Sequence, residues 1–345
     1  MNGLVNISIT EEMHVGSQRF AAHQITTMPV VVISLHEACD CRCVMCDIWK
    51  IREPQAIPIA KLRRQLQSFD SLGVRWVVFT GGEPQRHPHF ADFASALRSR
   101  GIRVTLLTAG LELEGQADQV APVVDDVIIS LDGPRDVHNQ IRRVPLAFER
   151  MLRGLEAVRK IQPEITIRAR CTVQAANHRS LCATVECAAQ NRLASISFLA
   201  ADLTSDAFNR PSGWTASRQS SVALHPHQVP ALENEIELLI GSYGVGGFVV
   251  ETPEKLRRIV LHFRAHLGQV PAVAPRCNAP WVSSVIEAGG HVRPCFFHAP
   301  IGNINQQTIA EAVNSNAALE FRQNLDIATN PTCRRCVCSL YLPGT

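Results

Sequence analysis

The stretch VVVISLHEACDCRCVMCDIW, residues 30–49, joins an apolar, β-branched run to four cysteines within eight positions. The run VVVISL predicts a buried strand, and the cysteines follow it directly. Cys39, Cys43 and Cys46 have the spacing C-x3-C-x2-C, whereas Cys41 lies out of register. Packing alone does not call for four thiols at this density, so the loop after the strand is a candidate metal site.

The composition of the chain limits the class of protein to which it can belong. With 345 residues and 46% apolar residues, the sequence is long enough for about two domains and a sizeable core. A formal charge of +3 with dispersed Lys and Arg excludes a nucleic-acid surface as the expected partner. No apolar window has the length of a membrane span, and the first 20 residues lack a signal pattern. We therefore expect a cytoplasmic protein without a membrane partner, whose clustered cysteines are metal ligands or catalytic thiols.

Outward from the opening stretch, apolar runs alternate with amphipathic segments of helical period. Runs that predict strands are 30–35, 74–80, 102–108, 126–131, 165–173 and 196–200. Segments that predict helices include 60–73, 90–101 and 146–161. This alternation predicts an α/β fold with a parallel sheet covered by helices. Ligands of such sheets gather at the carboxyl ends of the strands, which is where the cysteine loop begins.

Three thiolates on a short loop can hold three irons of a [4Fe-4S] cluster and leave the fourth iron open. The alternative is a zinc site, with His36 recruited as a fourth ligand. Cys41 then remains as a spare thiol whose loss the cluster would survive. The residues favour the iron-sulfur cluster.

In these residues the chain resembles the radical S-adenosylmethionine (SAM) enzymes. Besides the cysteine loop, the resemblance rests on GGEP (81–84) after the second strand, SLDGP (130–134) after the fourth and HNQIR (138–142) beyond it. It implies a partial (β/α)6 barrel of parallel strands. It also implies SAM contacts, and the candidate residues are Met45, Gly81, Gly82, Glu83, Pro84, Ser130, Asp132 and Arg142.

Some of these SAM contacts have competing explanations. Asp132 can instead cap the turn at Gly133, and Glu83 can serve to fix its own loop. Arg142 is a candidate partner of the methionine carboxylate, with Arg143 as its competitor. On the fifth strand and the turn after it, weaker candidates for contact are Arg170, Thr172 and Asn177.

The resemblance implies a definite chemistry. SAM would bind the open iron, and one electron from the reduced cluster would cleave it to methionine and a 5'-deoxyadenosyl radical that abstracts hydrogen. A low-potential electron donor, such as flavodoxin or ferredoxin, is the implied protein partner. The protein itself positions the reactants and excludes water.

A second cysteine group lies near the C-terminus. Cys277, Cys295, Cys333 and Cys336 resemble the ligands of the auxiliary [4Fe-4S] cluster that some radical SAM enzymes carry in a twitch or SPASM domain. Because the chain ends seven residues after Cys338, we expect the short, one-cluster twitch form. A zinc ribbon is the alternative, and Cys338 competes with Cys336 as fourth ligand, although strand alternation is expected to turn Cys338 away.

These assignments predict four segments, namely an N-terminal extension (1–29), the radical SAM core (30–229), a helical linker (230–270) and the auxiliary cluster domain (271–345). The polar stretch 201–229 is placed to cover the cavity. Its candidate substrate contacts are Asn209, Arg210, Trp214 and His225. Residues 1–29 are too few for a peptide-recognition domain, which favours a small substrate.

The sequence thus predicts a radical SAM oxidoreductase that acts on a small polar substrate, such as a sugar, aminocyclitol or nucleoside, with net oxidation. A substrate radical, once deprotonated, is a strong reductant, and a closed auxiliary cluster is a suitable acceptor for its electron. The alternatives are a peptide-modifying maturase and a non-catalytic iron-sulfur electron carrier. GGEP and SLDGP argue against the carrier, which has no use for a SAM site.

Overall fold

The fold is built on one twisted sheet. A computed structural model describes residues 23–243 and 247–343. Within them the strand order is β6-β5-β4-β3-β2-β1-β7-β8-β9. The strands are β1 (Val30–His36), β2 (Trp76–Gly81), β3 (Arg103–Thr108), β4 (Asp126–Ser130), β5 (Thr166–Val173), β6 (Ile196–Ala200), β7 (Ser283–Ile286), β8 (His291–Arg293) and β9 (Gly302–Asn303).

Strands β1 to β6 are mutually parallel and coincide with the six predicted runs. Strands β1 and β4 are buried almost throughout, as expected for a parallel sheet covered on both sides, whereas β5 alternates buried apolar residues with polar and charged ones. The predicted α/β barrel of parallel strands is confirmed.

Helices pack against this sheet, and the short helix Ala279–Val282 does so on its inner face. They are α1 (Ile59–Ser71), α2 (Phe90–Arg98), α3 (Leu113–Val120), α4 (Arg135–Arg142), α5 (Ala147–Ile161), α6 (Leu181–Gln190), α7 (Ala216–Ser220), α8 (Val229–Ser242), α9 (Pro253–His266), α10 (Ala279–Val282), α11 (Ile309–Val313), α12 (Asn316–Asn324) and α13 (Pro331–Arg334). Their apolar stripes are buried, as with Leu62, Leu66 and Phe69 on α1. Among the described residues, no helix has the length and apolarity needed to cross a membrane.

The C-terminal segment continues the core sheet. Strand β7 pairs in parallel with β1, with Val30 opposite Ser283, and β8 and β9 follow as antiparallel strands. On the inner face, Val30 and Trp76 of the barrel join a buried cluster with Leu340 and Leu342 near the C-terminus. The C-terminal segment therefore forms one wall of the barrel interior, and the predicted segment boundaries stay a prediction.

Candidate active site

The cysteine loop leaves the carboxyl end of β1 and is fastened to the C-terminal end of α4. The backbone N–H of Arg42 donates to the carbonyl of Arg142 (3.0 Å), and that of Val44 donates to the carbonyl of Ile141 (3.0 Å). These bonds fix the loop at the edge where β1, β2 and β4 end.

The thiols of this loop lie close together. The ligand atoms of Cys39, Asp40 and Cys41 lie within 4.8 Å of one another. Cys41 is buried, and its thiol hydrogen-bonds to both Cys39 and Cys43, which raises the pKa of Cys41. The hydrogen bond from Cys41 lowers the pKa of Cys43 to about 7 against the opposing effect of burial. The structure thus gathers Cys41 with the predicted ligands, and its role as a spare thiol stays a prediction.

The donors around the predicted ligands suit thiolates. The Arg142 guanidinium donates to Sγ of Cys43 (3.4 Å), and the backbone N–H of Ile48 donates to Sγ of Cys46 (3.5 Å). Cluster sulfurs are stabilised and tuned by such hydrogen bonds. The chemistry of this donor set therefore fits an iron-sulfur cluster.

Arg142 and Asp132 form an ion pair. The Arg142 guanidinium lies 2.6 Å from the Asp132 carboxylate, and both side chains are buried. The other carboxylate oxygen of Asp132 accepts from the backbone N–H of Thr172 (2.9 Å), and its carbonyl accepts from the Asn177 amide (2.9 Å). The structure gives Arg142 and Asp132 a supporting role beneath Cys43, and Thr172 and Asn177 hold Asp132 in place. The contacts of these residues with SAM stay a prediction.

Gly81 and Gly82 face the cysteine loop. A Cβ at Gly81, which has φ of 132°, would lie 2.5 Å from the carbonyl oxygen of His36. A Cβ at Gly82 would lie 2.4 Å from the carbonyl oxygens of Glu37 and Ala38. The N–H of Gly82 donates to His36 and that of Glu83 to Ala38, each at 2.8 Å. The glycines thus permit the close approach of two loops, and the contact of Gly81 and Gly82 with the methionine moiety of SAM stays a prediction.

Two carboxylates beside this junction have buried oxygens without a hydrogen-bond partner among the described residues. Glu83 is fully buried and accepts from the N–H of Ala109 (3.0 Å), but its Oε1 has no hydrogen-bond partner among the described residues. Both carboxylate oxygens of Asp40 are likewise without a partner in the described chain. Burial raises the pKa of Glu83 well above its usual value, and the charges of Asp40 and Cys39 raise it further. Orphaned carboxylate oxygens beside the cysteine loop fit a cationic ligand, and SAM carries an ammonium and a sulfonium.

The remaining predicted contacts lie nearby. Met45 is half-buried on the cysteine loop, Ser130 ends β4, and Pro84 opens a short 3-10 turn after β2. Arg143, the competitor of Arg142, is exposed at the C-terminal end of α4. Asp40 was not predicted because no motif marks it apart from its cysteine neighbours.

Residues 202–218, called here the strap, cover the cysteine loop. Arg210 pairs with Asp202 (2.7 Å) and donates to the carbonyl of Met45 (2.7 Å). The Trp214 indole N–H donates to the Asp47 carboxylate (2.7 Å), and the Asn209 amide donates to the Asp47 carbonyl (3.0 Å). These three side chains brace the loop, and their contacts with substrate stay a prediction.

His225 does not take part in this bracing. It lies beyond the strap, exposed, and opens the 3-10 turn that leads into α8. Its predicted contact with substrate has no support in its surroundings.

The second cysteine group surrounds one small apolar cavity. Its five thiols are Cys277, Cys295, Cys333, Cys336 and Cys338. A cavity lined by thiols without carboxylates fits a thiolate-bound iron-sulfur cluster. Cys338 lines it together with Cys336, so the expectation that Cys338 turns away is wrong. The sequence reading missed His298, whose Nε2 lies 3.3 Å from Sγ of Cys333.

Comparison with known proteins agrees with this geometry. Residues 33–169 match the radical SAM superfamily, and residues 277–337 match the iron-sulfur cluster-binding SPASM domain. Fe-coproporphyrin III synthase of Methanosarcina barkeri is 24% identical over 89% of this chain and 80% of its own. AdoMet-dependent heme synthase of Oleidesulfovibrio alaskensis is 28% identical over 38% of this chain and 35% of its own.

The fold also recurs among solved structures. Streptococcus suis SuiB bound to S-adenosylmethionine superposes with a TM-score of 0.63 at 14% identity, over 93% of this chain and 75% of that chain. The cofactors are therefore a SAM-binding [4Fe-4S] cluster, an auxiliary cluster and SAM. The chain is therefore an enzyme with a radical SAM domain over residues 33–169 and a C-terminal SPASM iron-sulfur cluster-binding domain over residues 277–337.

Proposed function

We propose that this radical SAM enzyme oxidises a tetrapyrrole that bears carboxylate side chains. Two relatives support the proposal, since they are named for Fe-coproporphyrin III and heme, which are both iron tetrapyrroles with acidic arms. The observation that carries it is a cavity between the barrel interior and the auxiliary cysteines, with apolar walls and one cation.

The cavity has a volume of about 60 Å³. Its walls are apolar or aromatic on both sides and include Val32, Trp76, Val78, Phe296 and Phe297. This volume has room for a few water molecules. It therefore suits one short side chain of a substrate and leaves the ring system outside.

Arg170 is the only charged residue lining this cavity in the described chain. Its Nε donates to the Ser197 hydroxyl (3.3 Å), while one terminal nitrogen, Nη2, is buried without a hydrogen-bond partner among the described residues. A guanidinium with unused N–H groups in an apolar cavity suits a carboxylate. The apolar walls offer few partners to the many hydroxyls of a sugar or aminocyclitol, so the substrate class expected from the sequence is the weaker candidate.

The residues assigned to the cofactors are those of the two cysteine groups and the junction beside them. Cys39, Cys43 and Cys46 would hold the SAM-binding cluster, and four thiols of the second group would hold the auxiliary cluster. When bound, cluster and SAM supply one-electron chemistry that removes hydrogen from an unactivated C–H bond. Glu83 and Asp40 would orient the cationic end of SAM, and Arg170 would orient the acidic arm of the substrate. The strap would keep water away from the cysteine loop.

The experiment compares substrate classes. Reconstituted, reduced protein is incubated with SAM and, separately, iron coproporphyrin III, its tetramethyl ester, an aminocyclitol and a peptide. We expect 5'-deoxyadenosine to rise with the free acid and the porphyrin to change mass, with one SAM consumed per oxidation. The ester, which cannot pair with Arg170, and the Cys43→Ala variant serve as controls. Product formation from the aminocyclitol or the peptide, with none from the porphyrin, would overturn the proposal.

A further inference from the structure

A large basic pocket opens on the surface next to the auxiliary cysteines. It has a volume of about 530 Å³ and lies between α9, the segment that follows it and the end of α13. The charged or titratable residues of its lining are Arg258, His262, His266, Arg334 and Arg335. Asp and Glu are absent from the lining within the described residues.

The arginines of this pocket have no carboxylate partner within 4 Å in the described part of the chain. Arg258 donates to the carbonyls of Val273 (2.6 Å) and Cys336 (2.9 Å), and Arg334 donates to the carbonyl of Ala272 (2.7 Å). Arg335 is exposed, and its side chain has no hydrogen bond to the described chain, although its backbone N–H donates to the carbonyl of Cys333. Two of the three cations are thus held in place by backbone carbonyls and not by carboxylates.

The pocket also has an apolar side. Leu261 and Val273, which line it, are 48% and 63% exposed. A concave surface that combines arginines with exposed apolar side chains suits an amphipathic polyanion better than a small inorganic anion.

The basic pocket and the apolar cavity each share lining residues with a third cavity. A small intermediate cavity shares Arg258 and His262 with the basic pocket and shares Arg170 and Cys338 with the apolar cavity. Lys255 lines the intermediate cavity as well, beside the buried Glu251. Cationic side chains therefore extend from the surface pocket to Arg170.

We infer that the basic pocket is a binding site for the carboxylates of the substrate that do not react. The inference rests on the proposed function. The apolar cavity takes one acidic arm, while the ring system lies against Leu261 and Val273 and its other carboxylates pair with Arg258 and Arg335. The pocket would thus bind polycarboxylates more tightly than monocarboxylates.

Binding of coproporphyrin III to the reconstituted protein, measured by its fluorescence, tests this. Arg335→Glu removes one cation and adds an anion, so we expect its Kd to rise about tenfold or more. Arg335→Gln should show a smaller rise in the same direction. Arg63→Glu makes the same charge change on the exposed side of α1 and should leave Kd within about twofold. The tetramethyl ester should bind all variants equally weakly.

A second probe, benzene-1,3,5-tricarboxylate, separates this inference from the proposed function. If both polycarboxylates lose affinity in Arg335→Glu while no tetrapyrrole is turned over, the pocket stands and the proposed function fails. If a tetrapyrrole is turned over with unchanged Kd and KM in Arg335→Glu, the function stands and the inference is overturned. An Arg335→Glu variant that loses only its reduction by an acidic flavodoxin, with porphyrin binding intact, also overturns it and identifies the pocket as a protein docking site.

Discussion

At the scale of single residues, the site depends on buried charges that support the cysteine loop from below. Arg142 lies between Asp132 and Cys43, and all three are buried. A charge pair without water around it is stable only while both partners remain, because either one alone keeps the full cost of desolvation. Arg142 therefore affects both the stability of the fold and the environment of Cys43.

Arg142→Gln should lower the free energy of unfolding by about 3–5 kcal/mol, since it leaves the Asp132 carboxylate buried without its cation. Urea unfolding followed by circular dichroism measures this. Arg143→Gln, at the exposed neighbouring position, should change the value by no more than about 0.5 kcal/mol. The double variant with Asp132→Asn should recover part of the loss. An Arg142→Gln protein as stable as the parent would contradict the pairing.

Glu251 predicts a pH dependence of stability. It is 3% exposed, and burial raises its pKa from 4.5 to about 7. The folded state therefore holds the proton more tightly than the unfolded state. This contribution to stability is fully present below pH 4.5 and is lost as the pH rises through 7.

The measurement compares Glu251→Gln with the parent chain. Gln keeps an oxygen that can accept from the Phe198 N–H but cannot ionise. At pH 8 the variant should be more stable, by up to about 3 kcal/mol, and the difference should vanish near pH 4.5. Asp118→Asn, at an exposed position, should show no such trend. Equal stability curves for parent and Glu251→Gln would rule out the raised pKa.

At the scale of elements, the strap and the cysteine loop form one unit through contacts far apart in sequence. Arg210 stacks on the Trp214 ring at 3.8 Å, and Phe208 lies 6.3 Å from Phe296 of the auxiliary segment. The strap therefore contacts the loop on one side and the auxiliary segment on the other. The ordering of the strap therefore depends on its contacts with the cysteine loop and with the auxiliary segment.

Trp214→Phe keeps an aromatic ring but removes the hydrogen bond to Asp47. A hydrogen bond to a charged acceptor contributes about 1.5–3 kcal/mol, so the strap should open at least about tenfold more often. Hydrogen exchange followed by mass spectrometry should show faster exchange in 202–218 and 44–47. Ser220→Ala on α7 should leave exchange in both segments unchanged. Unaltered exchange in Trp214→Phe would mean that other contacts hold the strap.

At the scale of the whole molecule, the segments that carry the two cysteine groups are joined by one continuous sheet. Strand β7 of the auxiliary segment extends the barrel sheet at β1, the strand that leads into the cysteine loop. Loss of one cluster should therefore leave the other site in place, because β1 and β7 keep their pairing without either metal.

Iron content tests this arrangement. Anaerobic reconstitution should give about eight irons per chain, and about four should remain when Cys39, Cys43 and Cys46 are all replaced by Ala. Cys41→Ala should retain about eight and should still form 5'-deoxyadenosine. Stoichiometric zinc with iron for a single cluster would refute the auxiliary iron-sulfur site. Loss of the first cluster in Cys41→Ala would show that Cys41 is a ligand.

The sequence by itself determined the strands, the order of the motifs and the cysteine-rich loop after β1. Those features are local, because a run such as VVVISL and a spacing such as C-x3-C-x2-C need no distant partner to be recognised. Only the tertiary structure decided what Arg142, Gly82 and Trp214 contact. The contacts of Arg142 with Cys43, of Gly82 with Ala38 and of Trp214 with Asp47 join residues 44 to 167 positions apart, and such contacts follow from packing that no short window of sequence contains.

The same reason explains the C-terminal segment. Its cysteines were recognised from their spacing, but the pairing of β7 with β1 joins residues about 250 positions apart. That pairing, like the basic pocket between α9 and α13, depends on how strands and helices pack in three dimensions. The sequence determined which side chains were present for chemistry, and the tertiary structure decided which of them meet, because burial and charge pairing act between neighbours in space.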